Sequence, residues 1–318
     1  MKDSMVISLL LVSLVAGASG CGPTLEEKQQ KANSQYEIGV SELTRGNLAE
    51  ALKAFEKARA IYPDDPKLHD GFGLIYWQQK QYQNAIAEFK KAIRLDANFS
   101  DAHNHLGATY AQMKQWDAAI AEFKIATSDP FYQAIDLAYY NLGAALLEKG
   151  EQLQAIEAFH QALQIRPNFS RALDKYGVAL FKMNRFQEAI KQLQKALDTA
   201  TSFKLTKLSL RNLAKDGVPG EILKSLEALL NQDFLDKERF LAALEKQIEK
   251  DPARKYEELL VKYAEATPTY FEPYLNLGIV YMQKGSKADA IAQFKLVLEQ
   301  AQDEELKASA RRYLEILE

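Results

Sequence analysis

The sequence predicts an all-α fold made by stacking one repeated unit of about 34 residues. Two observations predict it: small and aromatic residues recur together at fixed offsets, and the composition favours helix almost throughout.

The recurrence carries most weight. Gly39, Gly73, Gly107, Gly143, Gly177 and Gly278 take the first offset, spaced by 34, 34, 36 and 34 residues as far as Gly177. Twelve residues after each glycine comes Ala51, Ala85, Ala119, Ala155, Ala189 or Ala290. Four residues further lie Phe55, Phe89, Phe123, Phe159, Leu193 and Phe294, and three beyond those Ala58, Ala92, Ala126, Ala162, Ala196 and Val297. Small residues suit places where backbones approach closely and a larger side chain would overpack. The aromatic position fills the space between units. No unit of this size buries its apolar face alone, so the units must stack.

Composition agrees. Only 9 prolines and 15 glycines occur in 318 residues, so little interrupts a helix. Apolar residues at 47 % and charged residues at 26 % are globular proportions. A net charge of −3 supplies no basic excess for a phosphate backbone, so nucleic acid is not an expected partner.

Met5 to Ala18 forms an apolar run, shorter than the roughly 20 residues that span a bilayer. Its length is that of a signal-peptide hydrophobic segment. It ends in Ala18-Ser19-Gly20-Cys21, small residues before the only cysteine of the chain. These residues resemble the bacterial lipobox, which implies cleavage after residue 20 and a lipid-modified Cys21. Gly22 stands where the family's inner-membrane retention signal places Asp, which implies a bacterial outer-membrane destination facing the periplasm. Thr24-Leu25-Glu26-Glu27 matches a capping box and opens the first helix three residues after the anchor.

The repeat itself resembles the tetratricopeptide-repeat (TPR) family. The resemblance implies helix-turn-helix hairpins that form a right-handed superhelical solenoid. The expected organisation is a signal peptide at 1–20, a lipidated N-terminus and start of the first helix at 21–31, and five repeats at 32–203. Residues 204–270 lack the glycine–alanine signature. Their length fits two divergent hairpins near 203–236 and 237–270, opened by Pro219 and by Asp251-Pro252, with Pro268 as a closing proline; a non-TPR helical insertion is the other reading. A sixth repeat follows at 271–304 and a capping helix at 305–318, where Leu306, Ala310, Leu314 and Leu317 share a face.

The resemblance also implies a ligand surface on the first helices, at positions 5, 9 and 12 of each repeat. Carried over, the expected partner-binding groove comprises Tyr36, Val40, Leu74, Trp77, Asn104, Tyr140, Ala144, Asp174, Val178, Phe181 and Ile279. This set lacks the Lys/Asn/Arg clamp of chaperone-tail-binding TPRs. It is apolar with aromatics, which suits an amphipathic helix or an apolar segment of a protein partner.

Nothing in the sequence argues for catalysis. His103 and His105 are two apart and point differently on a helix, so they cannot share a metal. His69 and His103 share a repeat position filled elsewhere by Tyr139 and Tyr274 and read as packing residues; His160 has no ligand-spaced companion. No phosphate loop, metalloprotease motif or nucleophile elbow occurs. No cofactor, metal or small-molecule substrate is expected.

Between repeats three and four, Pro130-Phe131-Tyr132 precedes Tyr139-Tyr140-Asn141-Leu142-Gly143. This stretch is similar to type IV pilus TPR lipoproteins, which act as pilotins for an outer-membrane secretin. The expected function is therefore a non-catalytic, lipid-anchored scaffold. The alternatives are a periplasmic adaptor for peptidoglycan hydrolases or synthases, and an enzyme or enzyme accessory using residues 204–270.

Overall fold

The structure is a computed structural model. It describes residues 24–205, 207–230, 232–234, 237–247, 265–268 and 270–317. The signal segment 1–20, Cys21 and Asp251-Pro252 lie outside the described residues. The chain forms two compact units, 1–115 and 116–318.

The first unit contains α1 (Leu25–Thr44), α2 (Leu48–Ile61), α3 (Pro66–Gln78), α4 (Tyr82–Leu95) and α5 (Ser100–Gln112). Helix α1 opens on the capping box: the Glu27 N–H donates to Thr24 Oγ1 at 3.2 Å, and the Thr24 N–H donates to Glu27 Oε2 at 2.7 Å. Helix α3 starts at Pro66 behind Asp65, whose carboxylate accepts from the Lys67 N–H at 2.9 Å. Helices α1 and α2 pack along each other, as do α3 and α4, and α4 packs on α5.

The glycine–phenylalanine offset has a direct geometric cause. A Cβ placed on Gly39 would come within 2.2 Å of the Phe55 ring, and one on Gly73 within 2.4 Å of the Phe89 ring. Both rings are fully buried, so they cannot yield to solvent. In the second unit Gly143 meets Phe159 and Gly278 meets Phe294 in the same way, while Gly177 meets Leu193.

The turn between the two helices of a repeat uses one left-handed residue. Gly46, Lys80, Lys114, Gly150, Asn184 and Gly285 have φ of 80°, 59°, 58°, 89°, 60° and 84°. All six occupy the fifteenth position of their repeats, and the turn imposes this conformation on lysine and asparagine as well as on glycine.

The second unit continues with α6 (Trp116–Ser128), α7 (Ile135–Lys149), α8 (Gln152–Ile165), α9 (Ser170–Lys182) and α10 (Phe186–Ala200). After an excursion it resumes with α14 (Glu272–Gln283), α15 (Lys287–Gln300) and α16 (Glu304–Leu317). Helix α16 packs on α15, and its Ala310 and Leu314 are buried there, so the last hairpin does end under an amphipathic helix. The longer junction between repeats three and four is an Asx turn: Asp129 Oδ1 accepts from the Phe131 N–H at 2.9 Å, and Tyr132 is buried against Ala126 and Ala138.

The excursion corrects the expectation of two further hairpins at 204–270. Its described residues form β1 (Thr201–Lys204), α11 (Lys207–Lys215), α12 (Gly220–Leu226), a 3-10 turn at Glu227–Leu229, β2 (Asp233–Phe234), α13 (Lys237–Gln247) and β3 (Glu265–Pro268). The strands make one antiparallel sheet ordered β2-β1-β3. Pro219 does precede a helix, but Pro268 ends a strand, opposite Thr201. The helices among its described residues have 9, 7 and 11 residues, and the first two are too short to form a 34-residue hairpin. The repeat fold is otherwise helical, and this small sheet is its one addition among the described residues.

Candidate functional site

The expected groove residues divide between the two units. On the first unit, Tyr36 and Val40 lie on α1, Leu74 and Trp77 on α3, beside Asp70 at position 5, and Asn104 on α5. Positions 9 and 12 are half-buried: Val40 and Leu43 border the cluster around Phe55, and Leu74 and Trp77 border the one around Phe89. The buried Trp77 Nε1–H has no acceptor among the described residues. These side chains therefore support the hairpin interior with one edge and leave the other to solvent.

Position 5 behaves differently and corrects the expectation. Tyr36 stacks on the Phe55 ring with centroids 5.6 Å apart. Burial raises its hydroxyl pKa, and the carboxylates of Asp70, Glu37, Asp65 and Asp101 push it further in the same direction. Asp70 and Asn104 are buried. Asp70 Oδ1 accepts from His105 Nδ1 at 2.8 Å, joining α3 to α5. Burial acts to lower the His105 pKa, but the Asp70 charge and hydrogen bond outweigh it, and the net shift is upward from 6.5. Sequence reading treated His105 only as a failed metal ligand. Its spacing of 35 residues from Asp70, one repeat plus one, was the available signal.

On the second unit, Tyr140 and Ala144 lie on α7, Asp174, Val178 and Phe181 on α9, and Ile279 on α14. Tyr140 is wedged between the rings of Phe159 and Phe169, at 6.2 and 5.0 Å, with the Arg171 guanidinium 5.7 Å over its face. Asp174 is completely buried. Its carboxylate accepts from Asn276 Nδ2 at 2.7 Å and from the Tyr270 hydroxyl at 3.2 Å, with Lys175 Nζ at 3.5 Å. Burial still leaves its pKa raised, despite Lys175 and these donors. Neither Asp174 nor Asn104 is available to a ligand as expected: both are buried, and Asp174 is covered by the repeat that carries Asn276. Ala144, Val178, Phe181 and Ile279 remain partly exposed, and Phe181 packs on Phe186 at 5.8 Å.

His69 and His103 serve packing. His69 is buried, with Nδ1 2.7 Å from Glu88 Oε2 and Nε2 3.0 Å from the Pro63 carbonyl; His103 is buried with Nε2 3.2 Å from the Ala97 carbonyl. Among the described residues no group of three or more His, Cys, Asp or Glu could hold a metal ion. No helix among them is long and apolar enough to cross a membrane.

Tetratricopeptide-repeat models match residues 24–66, 73–114, 137–169, 170–202 and 271–304. The small glutamine-rich tetratricopeptide repeat-containing protein 2 of Mycosarcoma maydis is 35 % identical over 72 residues, 23 % of this chain. That match spans only 20 % of the relative's own length. Among solved structures, Pseudomonas aeruginosa pilF covers 73 % of this chain and 98 % of its own, with TM-score 0.52 and 17 % identity. PilW, a type IV pilus biogenesis factor, covers 73 % and 92 %, with TM-score 0.50 and 16 % identity. These two likenesses establish the fold alone. The matched segments together span more than half of the sequence: the chain belongs to the tetratricopeptide-repeat family.

Proposed function

We propose that the chain is a non-catalytic protein-binding scaffold, held by a lipid on Cys21 at a bacterial outer membrane and facing the periplasm. The observation that carries the binding part is the row of partly exposed apolar side chains on the first helices: Val40, Leu74 and Trp77 in one unit, Ala144, Val178, Phe181 and Ile279 in the other. Rigid aromatic and aliphatic groups of this kind act as anchors for an apolar or amphipathic partner segment. The lipid anchor rests on the small-residue run before the sole cysteine. Participation in type IV pilus or secretin assembly rests on the Pro130-to-Gly143 stretch and on likeness to pilF and PilW.

Val178 is the informative place to test binding, because Tyr140 is held between two rings and Asp174 is consumed by Asn276. Crosslinking of the tagged protein in its own cells identifies the partner. Val178→Glu is expected to abolish that crosslink while far-UV circular dichroism stays unchanged. A retained crosslink removes this face as the binding surface. A secretin subunit among the crosslinked proteins supports the pilus reading, and peptidoglycan enzymes in its place sink it.

A further inference from the structure

We infer that the described residues between 201 and 268 belong to a separately folding module hung from a repeat stack that runs on without them. Three independent observations place it so. First, the stack closes behind the excursion. Helix α10 packs directly on α14, and Leu180, Ile190, Leu193, Leu277 and Val280 share one buried cluster. Polar contacts cross the same seam: Asn276 donates to Asp174, and Gln194 Nε2 lies 3.3 Å from the Tyr281 hydroxyl. Repeat six thus takes the place that a repeat immediately following repeat five would take.

Second, the excursion has an interior of its own. Leu205, Leu213, Val218, Leu226, Phe240 and Leu244 form one buried cluster, and among the described residues the partly buried apolar side chains packed on it come from residues 210–243. A cluster closed on itself gives its segment an opening free energy distinct from that of its surroundings.

Third, the two ends of the excursion are side by side. Thr201 pairs with Pro268, Ser202 with Thr267, Phe203 with Ala266 and Lys204 with Glu265. The antiparallel ladder begins where α10 ends, and one residue separates β3 from Tyr270. Neighbouring cross-strand residues stand about 5 Å apart, so a two-residue turn can close the gap that the module leaves. Tyr270 then fastens the returning chain to Asp174 at 3.2 Å. The arrangement makes the module a second surface that can open, move or bind without dismantling the groove on α7, α9 and α14.

Native-state hydrogen exchange read by mass spectrometry tests this on the full chain. Phe240→Ala empties the centre of the module, where Phe240 is fully buried beside Phe234. Amides in 205–247 are expected to lose at least tenfold in protection, while those of α9, α10, α14 and α15 keep theirs. Loss in both regions together overturns the inference, because the module and stack then open as one unit. Unchanged exchange in 205–247 also overturns it, because Phe240 is then not the core of a module. A second variant replaces 202–267 by Asn-Gly. Its α9, α10 and α14 peptides are expected to exchange as in the intact chain; collapse of their protection means that the stack needs the module and refutes the inference.

Discussion

The close approach of glycine to phenylalanine within each hairpin makes an unusual substitution damaging. Alanine normally improves a helix over glycine by about 1 kcal/mol. At Gly73 the added Cβ would stand 2.4 Å from Phe89 Cε1 and 2.6 Å from Cδ1, far inside van der Waals contact. Phe89 is fully buried among Ala85, Ile86 and Leu106, so its ring can shift only by disturbing them. Overpacking of this kind costs about 1–3 kcal/mol, which cancels the propensity gain and leaves Gly73→Ala destabilised by up to about 2 kcal/mol. The opposing pair in repeat five is Gly177 with Leu193, where a Cβ would still stand 2.6 Å from Leu193 Cγ, so only a side chain shorter than leucine makes room for the methyl. Phe89→Ala alone should destabilise by removing buried ring contacts. Combined with Gly73→Ala it should cost less than the sum, with a coupling of about 1–2 kcal/mol, in the range seen for directly touching residues. Urea titration of the four proteins followed by far-UV circular dichroism measures that coupling. Strict additivity, or a Gly73→Ala protein stabilised by the full propensity gain, would refute the reasoning.

Three further outcomes are expected. Lys80 holds a left-handed φ of 59° that Gly46 and Gly150 adopt freely, so Lys80→Gly should raise the urea midpoint, by about 0.5–1 kcal/mol, and Gly150→Ala should lower it; the opposite signs would mean that the turn does not impose this conformation. His105 has a folded pKa raised above its unfolded value by Asp70. Its contribution is fully present below the unfolded pKa of about 6.5 and is lost as pH rises through the folded value, so melting temperature should fall across that window and Asp70→Asn should flatten the slope. Finally, metabolic labelling with a fatty-acid analogue should mark the wild type and spare Cys21→Ser; equal labelling of both excludes the anchor.

Much of the fold was legible because its determinants are local. Gly39 and Phe55 are sixteen residues apart and touch within one hairpin, so the contact repeats wherever the spacing repeats. The left-handed turn was less visible, because Lys80, Lys114 and Asn184 fill the same conformation as Gly46 without sharing its residue type. The insertion was misread for a different reason. Its length nearly equals two repeats, whereas its defining ladder joins residues 201–204 to 265–268, a pairing that no local periodicity records.

The groove failed selectively, and the pattern of failure is physical. A helix face read from one repeat shows which side chains leave that helix, but not what the following repeat lays over them. At positions 9 and 12 Val40, Trp77 and Phe181 keep partial exposure, whereas Leu147 is buried. At position 5 the polar residues Asp70 and Asp174 are buried, and each has a partner on another first helix. Asp70 finds His105 on the next first helix, and Asp174 finds Asn276 on the one that follows it in space. The second case carries the larger consequence. Asn276 lies 102 residues beyond Asp174 in sequence but takes the neighbouring place in the stack. A buried carboxylate left without its donors costs more than the bonds contribute when made. The bond between α9 and α14 therefore selects the register in which repeat six docks, and it does so whatever is threaded through the loop between them.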